Sequence, residues 1–165
     1  MPGFTITPEN VPAFLPWCIL FLFSVGTILC RIFRKPLHIE DTDQWGNLPA
    51  AVRGKNFELW CAELLRRNGF RSVRVSGRSG DQGADIVCWK GLRRYVIQCK
   101  CYTGKLGNKP VQEAHAAIAF FGNPFIELDK AVVMTNSTFT PDGKKAAEKC
   151  RVLLWDREKL KEMCR

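Results

Sequence analysis

Ala84-Asp-Ile-Val-Cys-Trp-Lys90 and Arg93-Arg-Tyr-Val-Ile-Gln-Cys-Lys100-Cys-Tyr102, separated only by Gly91-Leu92, decide the fold. Both runs are rich in Val, Ile, Trp and Tyr, which suit a pleated strand. A two-residue gap with Gly first is the connection of a type II′ hairpin. That turn sets Lys90 against Arg93, and counting back sets Asp85 opposite Gln98. Directly opposed residues share a face, with Cβ atoms about 5 Å apart. Lys100 lies two residues on, on the same face. One turn therefore gathers a carboxylate, an amide and an ammonium. Cys99 and Cys101 flank Lys100 and face the other way, as small apolar packing residues. Ile86-Val-Cys88 and Tyr95-Val-Ile97 read as central strands, where three converging polar groups are costly unless they have a task.

Outward from the hairpin, the spacing predicts helices and strands in alternation. Val52 to Asn68 is an amphipathic helix, with Phe57, Trp60, Cys61, Leu64 and Leu65 at helical intervals and Asn68-Gly69 as its stop. Arg71 to Ser76 alternates Val73 and Val75 with charged neighbours, a strand pattern. Ser76 to Gly83 is a Gly- and Ser-rich loop. Pro110 to Phe121 is a helix, Lys130 to Asn136 a strand, and Thr140 opens a helix through Pro141 to Cys150. Val152 to Trp155 is a last strand and Arg157 to Met163 a last helix. The order α-β-β-β-α-β-α-β-α implies an α/β fold, a mixed sheet flanked by helices on both faces.

The gathered groups suit phosphodiester hydrolysis. Asp85 offers a hard anionic oxygen to Mg²⁺, with Mn²⁺ as a substitute, and Gln98 offers a neutral carbonyl oxygen. The backbone carbonyl of Cys99 and a phosphate oxygen complete much of the shell. Such a metal acidifies a bound water and polarises the phosphate. Lys100 orients that water or stabilises charge on the phosphorane.

Several motifs resemble the Mrr-like catalytic domain of the PD-(D/E)xK restriction-endonuclease-like superfamily. They are Gly54-x-x-Phe57-Glu58, Gly69-Phe70, Gly80-Asp-Gln-Gly-Ala-Asp85-Ile-Val87, Tyr95-Val-Ile-Gln98-Cys-Lys100-x-Tyr102, Val111-Gln112-Glu113 and Val132-Val-Met-Thr-Asn-Ser137-x-Phe139-Thr140. The series runs in order from about Gly54 to Leu160. The resemblance implies a restriction-endonuclease-like fold and Mg²⁺-dependent cleavage of DNA, double-stranded above all. It implies the roles above for Asp85, Gln98 and Lys100, brings Glu58 of the first helix to the metal site, and turns Gln112 toward the active site. Gln98 stands where the superfamily usually has an acid. Double-strand cleavage needs two active sites, which implies a homodimer. Gly80 and Gly83 serve the backbone geometry of the loop before Asp85, Asp81 has either a turn-forming or a catalytic role there, and His115 packs its helix.

Residues 1–30 hold one charged side chain, Glu9. From Arg31 onward there are 25 basic against 15 acidic residues, a balance of +10 that points to a polyanionic partner. Arg66, Arg67, Arg71, Arg74, Arg78, Lys105 and Lys109 are candidate phosphate contacts. Eight cysteines without a CxxC pair, and only two histidines, His38 and His115, argue against a zinc site and a disulfide scaffold.

From Asn10 to Cys30 no residue is charged, and apolar residues line every side of a helix. This stretch of 21 residues is expected to cross a membrane once as a transmembrane helix. Arg31, Arg34 and Lys35 follow at once, so residues 1–35 form the anchor with its basic flank. Membrane contact runs through 12–34, and the rest lies on the cytoplasmic face of the inner or plasma membrane. Residues 36–50, with Glu40, Asp41 and Asp43, read as a linker, and 51–165 as the nuclease domain. A DNA-tethering module without catalysis is the alternative reading.

Overall fold

The computed structural model describes residues 15–32, 35–76, 84–121 and 129–165. In chain order the elements are α1 (Leu15–Ile32), a 3-10 helix (Ile39–Trp45), α2 (Ala50–Arg67), β1 (Arg71–Val75), β2 (Ile86–Lys90), β3 (Arg93–Lys100), α3 (Lys109–Phe121), β4 (Lys130–Thr135), α4 (Pro141–Cys150), β5 (Leu153–Trp155) and α5 (Arg157–Met163). The loop with Arg78, Gly80, Asp81 and Gly83 lies outside the described residues.

The hairpin follows its turn chemistry. Gly91 has φ +60°, a value that a residue with a Cβ rarely takes. β2 and β3 pair antiparallel from Lys90↔Arg93 to Ile86↔Ile97, the register that the turn alone predicts. β3 then pairs parallel with β4, and β4 with β5. The five strands stand in the order β1-β2-β3-β4-β5. β1 is less regular than its alternation suggests. Ser72 has φ +50° and the register against β2 shifts between Arg71 and Arg74.

Alternation along the strands builds two apolar layers. Ile86, Cys88, Ile97, Cys99, Val132 and Met134 bury against Phe57, Trp60, Leu64 and Leu65 of α2 and Leu160 of α5, with Cys101 packed beside them. Ala131 and Val133 bury on the opposite face, against Val111 and Ala114 of α3 and Ala147 of α4. β4 is buried on both faces, as a strand flanked by two parallel neighbours and covered by helices must be. The cysteines among the described residues are free thiols.

Local chemistry sets the ends of the last two helices. The Thr140 side chain accepts from Gly143 N–H at 3.1 Å, with Pro141 following in the first turn. Asp156 caps α5 in the same way through Lys159 N–H at 3.1 Å. Gly143 is also needed for space, since a Cβ there would stand 2.9 Å from the Leu106 carbonyl oxygen.

The expected linker is folded. Ile39 and Thr42 are buried, and Asp43 pairs with both guanidinium ends of Arg157 at 2.8 and 2.7 Å. Residues Leu37–Arg165 form one compact unit and Met1–Pro36 another. Of the membrane span expected over residues 10–30, positions 10–14 lie outside the described residues. Among the described residues no helix is long and apolar enough to cross a membrane. The observed helix, α1, has 18 residues, a rise of about 27 Å against the ~30 Å hydrocarbon core, and its last turn takes in Arg31.

Two glycines give opposite expectations. A Cβ on Gly54, within α2, meets nothing within 4 Å, so Gly54→Ala raises the unfolding free energy by about 0.5–1 kcal/mol. Gly143→Ala lowers it by about 1–3 kcal/mol through the clash with Leu106. Urea unfolding of both variants checks the pair, and equal effects would overturn the packing argument.

Candidate active site

Asp85 lies one residue before β2. Its N–H donates to the Ile97 carbonyl at 2.8 Å and its carbonyl accepts from Ser76 N–H at 2.8 Å, so the backbone is fixed on both sides. The carboxylate turns toward β3. Its Oδ2 accepts from the backbone N–H of Cys99 at 2.7 Å and from the side-chain amide of Gln98. Asp85 and Gln98 thus meet one step beyond Ile86↔Ile97, where the hairpin register leads.

Lys100 ends β3 on the same face, and its Nζ lies 2.8 Å from Glu113 Oε2 of α3. Glu58 of α2 is held by Lys55, whose Nζ is 2.9 Å from Glu58 Oε2 and 3.4 Å from the Ser76 carbonyl. Asp85, Gln98, Lys100 and Glu58 are therefore gathered at one end of the sheet. Gln112 is not drawn in. It is exposed, on the side of α3 away from the Val111, Ala114 and Ala117 stripe. Glu113, at the flank of that stripe, is the α3 residue that meets Lys100. Counting 3.6 residues per turn from the stripe separates the two positions; the need of a half-buried lysine for a partner is the other signal. His115 is exposed and its Nδ1 lies 3.1 Å from the Cys150 carbonyl, joining α3 to the end of α4. Of the candidate phosphate contacts, Arg67 is engaged by Glu63 at 2.9 Å and Arg66 reaches the Val73 carbonyl at 3.2 Å. Arg71, Arg74, Lys105 and Lys109 are exposed.

Electrostatics single out Asp85. Its carboxyl is pushed up from 3.8 to about 6, first by burial and further by the charges of Glu58 and Glu113. The Cys99 N–H and the charge of Lys100 oppose this. The Cys99 thiol is raised well above its ordinary value by burial, then by Cys61, so it stays a neutral packing group. Among the described residues no cluster of three or more His, Cys, Asp or Glu side chains is placed to hold a metal. The donors at this end of the sheet are of another kind: two carboxylates, one amide and the Cys99 backbone carbonyl. Hard oxygens of this sort suit Mg²⁺ and Mn²⁺ and do not suit zinc. The carbonyl end of Gln98 reaches the Asp85 side by a half-turn of the amide about its last torsion. A half-buried carboxylate with two acidic neighbours is stabilised by a divalent cation, so the residues present fit one.

The five-stranded mixed sheet between helices carries an acid, an amide and a lysine at the meeting ends of two antiparallel strands. The chain belongs to the Mrr_cat family, described as restriction endonuclease, whose model matches residues 49–164. Three solved structures share the fold. A protein of unknown function, AF1548, is 22% identical with TM-score 0.50, over 65% of this chain and 64% of that one. The restriction endonuclease MspJI, in complex with a 27-mer oligonucleotide, is 18% identical with TM-score 0.51, over 76% of this chain and 30% of its own. The DNA modification-dependent restriction endonuclease AspBHI is 17% identical with TM-score 0.54, over 76% and 33%. The chain thus spans less than two thirds of the first and about a third of the other two. No curated protein matches it.

Asp85 gives a pH dependence of defined sign. Between about 4 and about 6 the folded state keeps a proton that the unfolded chain has released, so this group's contribution to stability falls as pH rises through that window. The loss totals about 3 kcal/mol. In EDTA, Asp85→Asn gains on the parent chain across the window and stays ahead at neutral pH. Urea unfolding at several pH values checks this, and a difference that stays flat would show that the carboxylate is not desolvated.

Proposed function

We propose that the chain is a divalent-metal-dependent endodeoxyribonuclease acting on double-stranded DNA. The observation that carries this is the convergence of Asp85, Gln98, Glu58 and the Lys100–Glu113 pair at one end of the sheet, within a restriction endonuclease family. Asp85, Glu58, the Gln98 amide oxygen and the Cys99 carbonyl would hold Mg²⁺ or Mn²⁺. Bound there, the ion supplies Lewis acidity and a more acidic water. Lys100 presents its ammonium to the phosphate, where it stabilises charge that develops in the transition state. Glu113 keeps that ammonium in place. Gln98, as a neutral donor, holds the site's negative charge below that of a second carboxylate. MspJI is in complex with a 27-mer oligonucleotide and AspBHI is a DNA modification-dependent restriction endonuclease, which supports DNA as the substrate class here. Two copies acting together suit cleavage of both strands.

The test uses the 165-residue chain in detergent, with supercoiled plasmid and Mg²⁺, Mn²⁺ or EDTA. Metal-dependent nicking or linearisation is expected, reduced at least about 100-fold in Lys100→Ala. The variant keeps its duplex affinity, measured in Ca²⁺. A chain that binds duplex but does not cut it under any metal overturns the nuclease and leaves a DNA-tethering module.

We also propose attachment to the cytoplasmic face of the membrane through α1. Its support is the exposure of Trp17, Phe21, Leu22 and Phe23 together with the basic residues Arg31, Arg34 and Lys35 after them. In flotation with liposomes the chain rises with the lipid, whereas Phe21→Glu combined with Leu22→Glu leaves it at the bottom. A parent chain that stays at the bottom would remove this part of the reading.

A further inference from the structure

On the face of the sheet opposite Lys100, a cavity of about 250 Å³ opens between α2, the 3-10 helix and the ends of β3 and β4. Arg53, Cys101, Tyr102, Thr103, Asn136 and Ser137 line it, together with the Asp43–Arg157 pair. Its volume is that of about eight waters in the liquid, room for a phosphate group and its hydration.

Arg53 is the unsatisfied member. Its Nη1 donates to the Gly46 carbonyl at 3.2 Å, while its Nε is buried and has no partner among the described residues. A buried charged donor without an acceptor is destabilising. Asp43, the acid on the cavity wall, is bound through both oxygens to Arg157, and Arg53 Nε makes no hydrogen bond to it. That ion pair also cancels the one negative charge on the cavity wall. The lining carries one uncommitted positive charge, hydroxyls of Tyr102 and Thr103, and the amide of Asn136.

We infer that this cavity is a second phosphate site, which takes a backbone phosphate of the bound DNA beside the one being cleaved. The placement supports a phosphate of the same nucleic acid. Cys101, Tyr102 and Thr103 follow Lys100 directly, so their backbone lies within about 10 Å of it. A guanidinium is the side chain best matched to phosphate oxygens. The site fixes the register of the duplex on the enzyme and carries no base information. It rests on the reading of the chain as a DNA-acting protein.

The test measures duplex affinity of the whole chain by fluorescence anisotropy in Ca²⁺, over a series of salt concentrations. Arg53→Gln is expected to bind about tenfold more weakly, and its plot of log K against log salt loses about one unit of slope. Its melting temperature holds or rises, because an unpartnered buried donor has gone. Thr103→Glu, on the exposed loop at the cavity, gives the same loss and covers the case of an Arg53 variant that does not fold. Folded variants with parental affinity and slope overturn the proposal. Inorganic phosphate that raises the melting temperature of the parent and not of Arg53→Gln, with duplex binding unchanged, overturns it in favour of a free-phosphate site. A parent chain that binds no duplex overturns the DNA reading itself, and loss of plasmid cleavage alone, with the Arg53 effect intact, overturns only the nuclease.

Discussion

The register between β2 and β3 is the constraint on which the rest depends. Side chains alternate along a strand, so a slip of one residue would send each of them to the opposite face. The register is held at both ends. At one end Gly91, at φ +60°, closes the turn. At the other the Asp85 carboxylate takes the Cys99 N–H at 2.7 Å. With the register fixed, Ile86, Cys88, Ile97 and Cys99 face α2 and Leu160 of α5. Lys100 falls on the other side, where Glu113 meets it. The buried core and the polar cluster are two readings of the same alternation.

The cluster is balanced in charge, pair by pair, except at Asp85. Lys55 serves Glu58 and Lys100 serves Glu113. Asp85 is met by N–H donors, from Cys99 and Gln98. Neutral donors stabilise an anion less than a cation does, and burial outweighs them, so the carboxyl rises to about 6. A glutamate in place of Gln98 would set a second anion directly against the first and raise it further. The amide therefore suits a site whose fold already brings three acids together. It still leaves an oxygen for a metal ion, at the cost of weaker attraction.

The sequence shows the hairpin plainly because its information is local. Turn, strand periodicity and the Asp85, Gln98 and Lys100 spacing all lie within a run of 17 residues, Ala84 to Lys100. The caps at Thr140 and Asp156 are local as well. What sequence reasoning misses is fixed by residues far apart in the chain. Residues 36–50 look like a linker since Glu40, Asp41 and Asp43 are polar, yet Arg157 holds Asp43 across 114 positions. Glu113 and Gln112 are adjacent and both polar; helical counting from the apolar stripe separates them, but that Glu113 meets Lys100 is set by the packing of α3 against β3 and β4. The +50° φ of Ser72 sits where β1 shifts its register against β2, a partner that single-strand periodicity does not contain.

The position of the site follows from the mixture of strand directions. β3, β4 and β5 run parallel and end at the same edge of the sheet. In such sheets that edge is where loops diverge and ligands bind. β2 runs the other way, so its beginning, not its end, lies there. An acid that precedes one strand and a lysine that closes the next are thus neighbours in space, though 15 positions apart in sequence. The loops leaving β3 and β4 at that edge, through Cys101–Thr103 and Asn136–Ser137, line the Arg53 cavity on the opposite face. The two polar sites share an edge because both are built from the ends of the same strands, with the sheet between them. A polyanion lying along that edge reaches both without any rearrangement of the core, and a basic chain that offers two such sites one above the other is suited to hold a backbone at more than one phosphate.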